Sequence, residues 1–165
     1  MPWVYFDASA LIKRYTQEKG TSLVNEAFRL LGPSHMACSI ISILEIVFAL
    51  VRKRNDGRLD QALFEQAMIE FRNEVIDQEE FVTTSVNDSL LFSALDLIAK
   101  YSLNATDAVI LRSALILRQA LTEDLTLWAS DRRLGRAAQD EGLVVFDPEG
   151  ETMDRLHQLL GTEHA

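Results

Sequence analysis

Cysteine, proline and glycine are scarce in this chain of 165 residues, which has 1 Cys, 3 Pro and 7 Gly. The lone Cys38 can form no disulfide within the chain and cannot build a thiolate metal cluster. Its apolar neighbours predict a small, buried side chain. No Pro- or Gly-rich linker divides the sequence, and the length suits one hydrophobic core. We therefore expect a single domain over residues 1–165.

Long hydrophobic runs are also missing. The most apolar stretch, residues 40–51, is interrupted by Ser42 and Glu45 and is too short to cross a bilayer. The N-terminus lacks the basic region and apolar stretch of a signal peptide. These absences predict a cytoplasmic protein that does not associate with membranes.

Basic residues are outnumbered, because 16 Lys and Arg stand against 25 Asp and Glu, for a formal net charge of −9. A general nucleic-acid-binding surface is not expected, since contacts to phosphates are made by Lys and Arg. The sequence also has no Gly-rich phosphate loop, no Ser-His-Asp order and no histidines at metal-ligand spacing. Any phosphate chemistry must therefore depend on local groups of side chains.

Short apolar segments alternate with longer helical ones along the chain. Five segments rich in apolar and aromatic residues are predicted strands, at residues 3–6, 35–41, 81–84, 125–129 and 143–146. Their nearly continuous hydrophobicity is typical of a parallel sheet covered on both faces. The predicted fold class is α/β, a three-layer α/β/α sandwich around a central parallel sheet.

Amphipathic periodicity predicts the helices between these strands. They are expected at about residues 8–19, 22–31, 42–54, 59–76, 87–101, 106–120, 131–141 and 152–160. The insertion at about 45–80 holds more helix than one crossover needs, so we expect a helical pair that projects from the sheet. The core then spans about residues 3–148, and residues 152–160 form a C-terminal helix.

Four acids end the strands or begin the helices that follow them. Asp7 ends the first strand, and Asp131 follows the fourth. Glu45 and Asp107 are expected in first helical turns. Strand C-termini and helix N-termini share one edge of an α/β sheet, where ligands bind. The four carboxylates are therefore predicted to converge.

Converging carboxylates can all stay ionised only if a cation offsets their repulsion. An all-oxygen site suits a hard ion, Mg²⁺ or Mn²⁺. Such a site can activate water and stabilise charge on a phosphodiester. The predicted chemistry is metal-dependent hydrolysis of a phosphoester bond.

Each acid also has a purely structural interpretation, because acids are common at helix starts. Ser42 and Glu45 have the spacing of a capping box. Asp107 follows Thr106, the predicted N-cap, and Asp131 can itself cap the helix after it. Asp7 is hardest to explain in this way, since a strand-end acid between apolar residues has little structural reason to be there.

Four segments of the chain resemble the motifs of PIN-domain nucleases, and most of all those of VapC-type toxins from toxin–antitoxin pairs. The segments are VYFDASAL (4–11), SIISILE (39–45), LNATDAVIL (103–111) and ASDRRL (129–134). The resemblance extends from Trp3 to about Pro148. It implies a PIN-like fold and an endoribonuclease dependent on Mg²⁺ or Mn²⁺. The metal ligands that it implies are Asp7, Glu45, Asp107 and Asp131.

The resemblance further implies partners and one supporting residue. Ser9 would orient Asp7 and bound water. Relatives are commonly dimers silenced by a small antitoxin, and the family usually holds both contacts on the helical pair at about 45–76. The expected partners are an RNA substrate, a cognate antitoxin and a second copy of the chain.

Two features depart from the family pattern. Many relatives have Thr two residues before the last acid, where this chain has Ala129, and Ser130 is the candidate substitute. The chain is also strongly acidic, so we expect only a local basic rim around the acids. The candidates for this rim are Lys13, Arg14, Arg52, Lys53, Arg54, Arg58, Arg112, Arg132, Arg133 and Arg136.

Two other functions remain open. The Ala129 departure is compatible with a catalytically weak PIN-like module that binds RNA or protein. A small phosphatase with Asp7 as its nucleophile is the second alternative. That chemistry usually needs a second acid two residues on, where this chain has Ser9.

Overall fold

A five-stranded parallel sheet forms the centre of the molecule in a computed structural model, which describes residues 1–162. The strand order is β3-β2-β1-β4-β5, and every neighbouring pair is parallel. The predicted parallel sheet is therefore confirmed, with β1 at its predicted bounds and the other four strands slightly shorter than expected. Their bounds are β1 (Trp3–Phe6), β2 (Met36–Ser39), β3 (Val82–Thr84), β4 (Leu125–Trp128) and β5 (Val144–Phe146).

The register aligns the carboxyl ends of the central strands. Phe6, the last residue of β1, pairs with Cys38 of β2 and Trp128 of β4, and Trp128 pairs with Phe146 of β5. The residues that follow these positions therefore emerge side by side at one edge of the sheet. Asp7 is the first of them.

Helices cover both faces of the sheet because the side chains of each strand alternate between the faces. Val4 and Phe6 of β1 belong to one buried cluster together with α1 to α4 and α9, whereas Tyr5 belongs to a second cluster with α5 to α8. This confirms the three-layer sandwich. The helices are α1 (Ala8–Leu11), α2 (Thr21–Leu31), α3 (Ile40–Asn55), α4 (Gln61–Phe71), α5 (Asp88–Ser93), α6 (Leu95–Tyr101), α7 (Ala105–Ala120), α8 (Arg132–Asp140) and α9 (Met153–Leu160).

The pair formed by α3 and α4 is packed on the core at one face and open to solvent at the other. Ile46, Leu50 and Phe71 are fully buried in the first cluster. The exposed face carries apolar side chains that are between half and two-thirds accessible, namely Leu44, Phe48, Leu63 and Ile69. None of the helices within residues 1–162 is long and apolar enough to cross a membrane.

Three predicted helices are shorter than expected. The one predicted at 59–76 ends as α4 at Phe71, and a π-helical turn over Arg72–Ile76 follows it. The one predicted at 8–19 stops at Leu11 and tightens into a 3-10 turn at Ile12–Arg14. The Thr16 hydroxyl then donates to the Ile12 carbonyl, which closes the segment. The helix predicted at 87–101 is divided at Ala94 into α5 and α6.

The predicted start of α3 at Ser42 is wrong. The helix begins at Ile40, and Ser39 is its N-cap, with an Oγ that accepts from the Ile41 amide at 3.2 Å. Ser42 is fully buried inside the helix, and its Oγ has no hydrogen-bond partner among the described residues. The pattern Ser42-x-x-Glu45 is therefore not a capping box, and Glu45 lies in the second turn.

Candidate active site

All four predicted acids line one cavity of about 550 Å³ at the carboxyl edge of the sheet. Asp7 follows β1, Glu45 comes from α3, Asp107 from α7 and Asp131 from the start of α8. The polypeptide thus brings together side chains that are separated by up to 124 residues of sequence, from position 7 to position 131. Ser9 and Ser130 also line this cavity.

Asp7 lies at the bottom of the cavity and is only 5% exposed. Its Oδ2 accepts from the Ser9 amide at 3.0 Å and from the Ser9 hydroxyl. The same hydroxyl oxygen accepts from the Ser130 amide at 2.9 Å, so it joins the end of β1 to the segment after β4. Burial raises the pKa of Asp7, the Ser9 bonds oppose that rise, and repulsion from Asp131 adds to it.

Glu45 is half-buried in the wall of the cavity. Burial, and then repulsion from Asp7 and Asp107, raise its pKa to about 7. With the capping box excluded, nothing in the start of α3 requires an acid at this position. Glu45 is therefore the member of the group with the weakest structural explanation.

Asp107 has both a local role and a place in the group. The predicted N-cap Thr106 is wrong, since Asn104 caps α7 by accepting from the Asp107 amide at 2.8 Å. The Asn104 amide group in turn donates to Asp107 Oδ2 at 2.9 Å. Burial, followed by repulsion from Asp7 and Asp131, raises the pKa of Asp107 to about 6.

Asp131 is the exposed member of the group and caps α8, as its structural interpretation predicted. Its Oδ1 accepts from the amides of Arg133 at 2.8 Å and Leu134 at 2.9 Å. Both capping bonds use the same oxygen, so Oδ2 stays outside the cap. Helix capping and a place in the cavity wall are compatible for this residue.

The donor set suits a hard divalent cation. It consists of carboxylates, and in Asp7, Glu45 and Asp107 burial and then a neighbouring carboxylate raise the pKa, which is the electrostatic situation that a bound cation relieves. Ser130 Oγ is buried in the cavity wall without a hydrogen-bond partner within residues 1–162. In that same part of the chain, no three acidic, imidazole or thiol groups are already gathered at metal-ligand distances. Binding an ion would therefore require these side chains to rotate inward.

The cavity wall contains more charged residues than the sequence indicated. Of the predicted basic rim, Lys13, Arg52, Lys53 and Arg58 line it, whereas the arginines of α7 and α8 line other clefts. Sequence analysis missed two acids of the wall, Glu18 and Glu149. Glu149 is the third residue after the end of β5, at the same edge of the sheet as Asp7, so a strand-end argument that included the turn after β5 could have found it.

Solved structures with a similar fold cover nearly the whole chain. One is a VapBC from Salmonella typhimurium bound to DNA, with a TM-score of 0.61, 14% identity, and coverage of 90% of this chain and 99% of that one. PAE2754 from Pyrobaculum aerophilum gives a TM-score of 0.61 at 19% identity, covering 97% and 98%. A toxin–antitoxin complex from Klebsiella pneumoniae gives 0.55 at 19%, covering 88% and 97%. At these identities the similarity shows a shared fold.

Family membership rests on the sequence itself. Comparison with curated proteins gives no match. The sequence model of the PIN domain matches residues 4–140, which include Asp7, Glu45, Asp107 and Asp131, all but the first residue of β1, and strands β2 to β4. Together with the α/β/α sandwich, this match shows that the chain belongs to the PIN domain family.

Proposed function

We propose that this protein is a metal-dependent endoribonuclease and the toxin of a toxin–antitoxin pair. The observation that carries the proposal is the placement of Asp7, Glu45, Asp107 and Asp131 around one cavity at the carboxyl edge of the sheet. PIN domains are generally nucleases, and an acidic cavity is what hydrolysis of a phosphodiester with a divalent ion requires.

The four acids would hold Mg²⁺ or Mn²⁺, which supplies an activated water and stabilises negative charge on the phosphodiester. Ser9 holds the Asp7 carboxylate in place through its amide and hydroxyl. Ser130 brings a second hydroxyl to the wall, beside the position where Ala129 replaces the family Thr. Lys13, Arg52, Lys53 and Arg58 provide positive charge for an RNA backbone despite the acidic net charge of the chain.

The proposed partners are an antitoxin and a second copy of the chain. The first support is the fold shared with the Klebsiella toxin–antitoxin complex and with VapBC. The second is the exposed apolar face of α3 and α4, because surface patches of this kind mark protein interfaces.

Cleavage of RNA by the purified protein tests the enzymatic part of the proposal. The wild type is expected to cut single-stranded and structured RNA in Mg²⁺ or Mn²⁺ and to stop in EDTA. Asp7→Asn should reduce the cleavage rate by at least about a hundredfold, since it removes a buried charge of the site. Asp124→Asn is the matched control, because this exposed aspartate precedes β4 at the opposite edge of the sheet. Equal cleavage by Asp7→Asn and wild type would contradict the proposal.

Growth measurements test the toxin part. Expression of the wild type is expected to arrest bacterial growth, and expression of Asp7→Asn is not. Co-expression of a small open reading frame adjacent to this gene should relieve the arrest. If cells that express Asp7→Asn also stop growing, toxicity does not depend on the carboxylates of the cavity.

A catalytically weak module that binds RNA or protein is the second candidate. Two observations favour it: Ala129 is buried where many relatives carry Thr, and no three donors are gathered for a metal within residues 1–162. Stabilisation by Mn²⁺ distinguishes the candidates, since only a protein that binds the ion is stabilised by it.

A further inference from the structure

Lys13 is a buried lysine in the wall of the acidic cavity. The residue is 2% exposed and lies in the 3-10 turn Ile12–Arg14, which directly follows the α1 helix that Asp7 caps. Its Nζ donates to Glu149 Oε1 at 2.5 Å. A buried ammonium group is costly unless it is paired, and Glu149 is the acid that pairs with Lys13.

The two ends of this ion pair differ in exposure. The Lys13 side chain is 3% exposed and that of Glu149 is 43% exposed, although both line the cavity. The carboxylate thus covers the ammonium group from the solvent side. Rotation of the Glu149 side chain toward solvent would open Lys13 to the cavity.

The backbone of Glu149 is held, so its side chain can move alone. Asp147 Oδ1 accepts from the Glu149 amide at 2.9 Å, and the Asp147 carbonyl accepts from Gly150 at 3.0 Å. The turn also lies directly against Gly20, where an added Cβ would be 2.6 Å from the Pro148 carbonyl oxygen. Glu149 lies beyond the matched residues 4–140, so this turn adds a carboxylate to the cavity from outside the matched segment.

We propose that Lys13 is a binding residue for a backbone phosphate of the RNA substrate, and that Glu149 occupies its ammonium group until the phosphate replaces it. The inference rests on the proposed ribonuclease function. Carboxylate and phosphate oxygens accept the same charge-assisted hydrogen bond from an ammonium group. Lys53 is also paired with an acid of the cavity wall, since its Nζ lies 3.6 Å from Glu18 Oε2. The free protein therefore keeps the cations of its cleft partly neutralised.

RNA binding by the inactive Asp7→Asn protein tests the role of Glu149. The probe is a fluorescein-labelled single-stranded RNA of mixed sequence, followed by anisotropy in Mg²⁺ buffer. Glu149→Gln should bind about tenfold more tightly than its parent, because Lys13 no longer has a competing carboxylate. The slope of log K against log salt should steepen by about 0.7, the contribution of one phosphate contact on a single strand, because no Glu149 carboxylate is then freed to take up a cation when the phosphate binds. Glu151→Gln is the matched control, an exposed glutamate two residues on with the same change of charge.

The tighter RNA binding of Glu149→Gln should depend on Lys13. In the same background, Lys13→Gln should weaken binding more than Lys19→Gln, which removes an exposed lysine, and Lys13→Arg should retain binding. The double variant Lys13→Gln/Glu149→Gln should lose the gain of Glu149→Gln, with melting curves showing that each variant is folded. If Lys13→Gln does not fold, the slope of log K against log salt for Glu149→Gln still tests the inference.

Two results would overturn the inference. One is equal binding by Glu149→Gln and Glu151→Gln, and the other is a gain that persists without Lys13. If the wild type cleaves RNA, either of these results overturns only this inference and leaves the proposed function standing. Absence of RNA binding in the parent and in every variant would overturn the proposed function as well.

Discussion

Glu45 and Asp107 have raised pKa values because acids are gathered and partly buried at one edge of the sheet. Their pKa values rise to about 7 and about 6 because burial and neighbouring carboxylates both disfavour the ionised form. Asp7 is more deeply buried, but Ser9 offsets part of that cost with two hydrogen bonds. The arrangement of the carboxylates thus costs stability in the free protein.

Removal of Glu45 should stabilise the protein at high pH when divalent ions are absent. The native state binds more protons than the unfolded state between the ordinary pKa of 4.5 and the raised pKa of about 7. The free energy of unfolding should therefore fall as pH rises through this window, and the penalty is complete above it. In EDTA, Glu45→Gln should melt roughly 2 °C above wild type at pH 8, since solvent screens part of the effect, and level with it near pH 4.

Calorimetry over this pH range measures the difference. Glu79→Gln is the control, because Glu79 is exposed in the segment between α4 and β3. If the Tm of wild type and the Tm of Glu45→Gln differ by the same amount from pH 4 to pH 8, neither burial nor the neighbouring acids raise the pKa of Glu45.

At the scale of elements, helix starts deliver three of the four acids to the cavity. Asp7 caps α1, Asp131 caps α8, and Asp107 pairs with the cap of α7. These residues stabilise helix N-termini and line the cavity with the same side chains. Sequence patterns at helix starts are therefore ambiguous in this fold, because the structural and the chemical roles favour the same residue types.

Substitution of the two buried serines at the start of α3 tests which of them caps the helix. Ser39→Ala should lower the free energy of unfolding by about 1 kcal/mol, because it removes the acceptor for the Ile41 amide. Ser42→Ala, equally buried, should change it little or raise it slightly, since its hydroxyl is buried without a partner in residues 1–162. Chemical denaturation measures both. A larger loss in Ser42→Ala than in Ser39→Ala would restore the capping box at Ser42 and Glu45.

At the scale of the whole molecule, the net charge of −9 coexists with a cleft that carries basic groups. Lys13, Lys53 and Arg58 are each held by an acid, at distances of 2.5 to 3.6 Å. Arg52 instead lies over the ring of Phe48, 5.9 Å from its centroid. Acidic composition thus argues against a polyanion-binding surface but not against one local site.

Mn²⁺ should stabilise the whole fold if the cavity binds it. An ion at about 100 times its Kd adds about 2.7 kcal/mol to the free energy of unfolding, so Tm should rise by several degrees. Asp7→Asn should lose most of this rise, and Asp124→Asn should keep it. Thermal unfolding with and without millimolar Mn²⁺ measures the effect. An unchanged Tm in wild type would favour the binding-module alternative.

Much of the architecture was predictable because it depends on local patterns. The nearly continuous hydrophobicity of the strands predicted a parallel sheet, and Phe6-Asp7 and the Trp128 to Asp131 segment marked its carboxyl edge. Helix bounds were less predictable. Ser39 and Ser42 are both plausible caps in sequence, and only the end of β2 at Ser39 decides between them.

The sequence by itself determined the α/β class, the four candidate acids and the family. Hydrophobic periodicity and acids that follow predicted strands are local patterns, so they can be recognised without the tertiary structure. Only the tertiary structure decided which further groups join them. Lys13 and Glu149 are separated by 136 residues, and no local pattern predicts a contact of that range. That contact depends on the parallel order of the sheet, which carries the ends of β1 and β5 to the same edge.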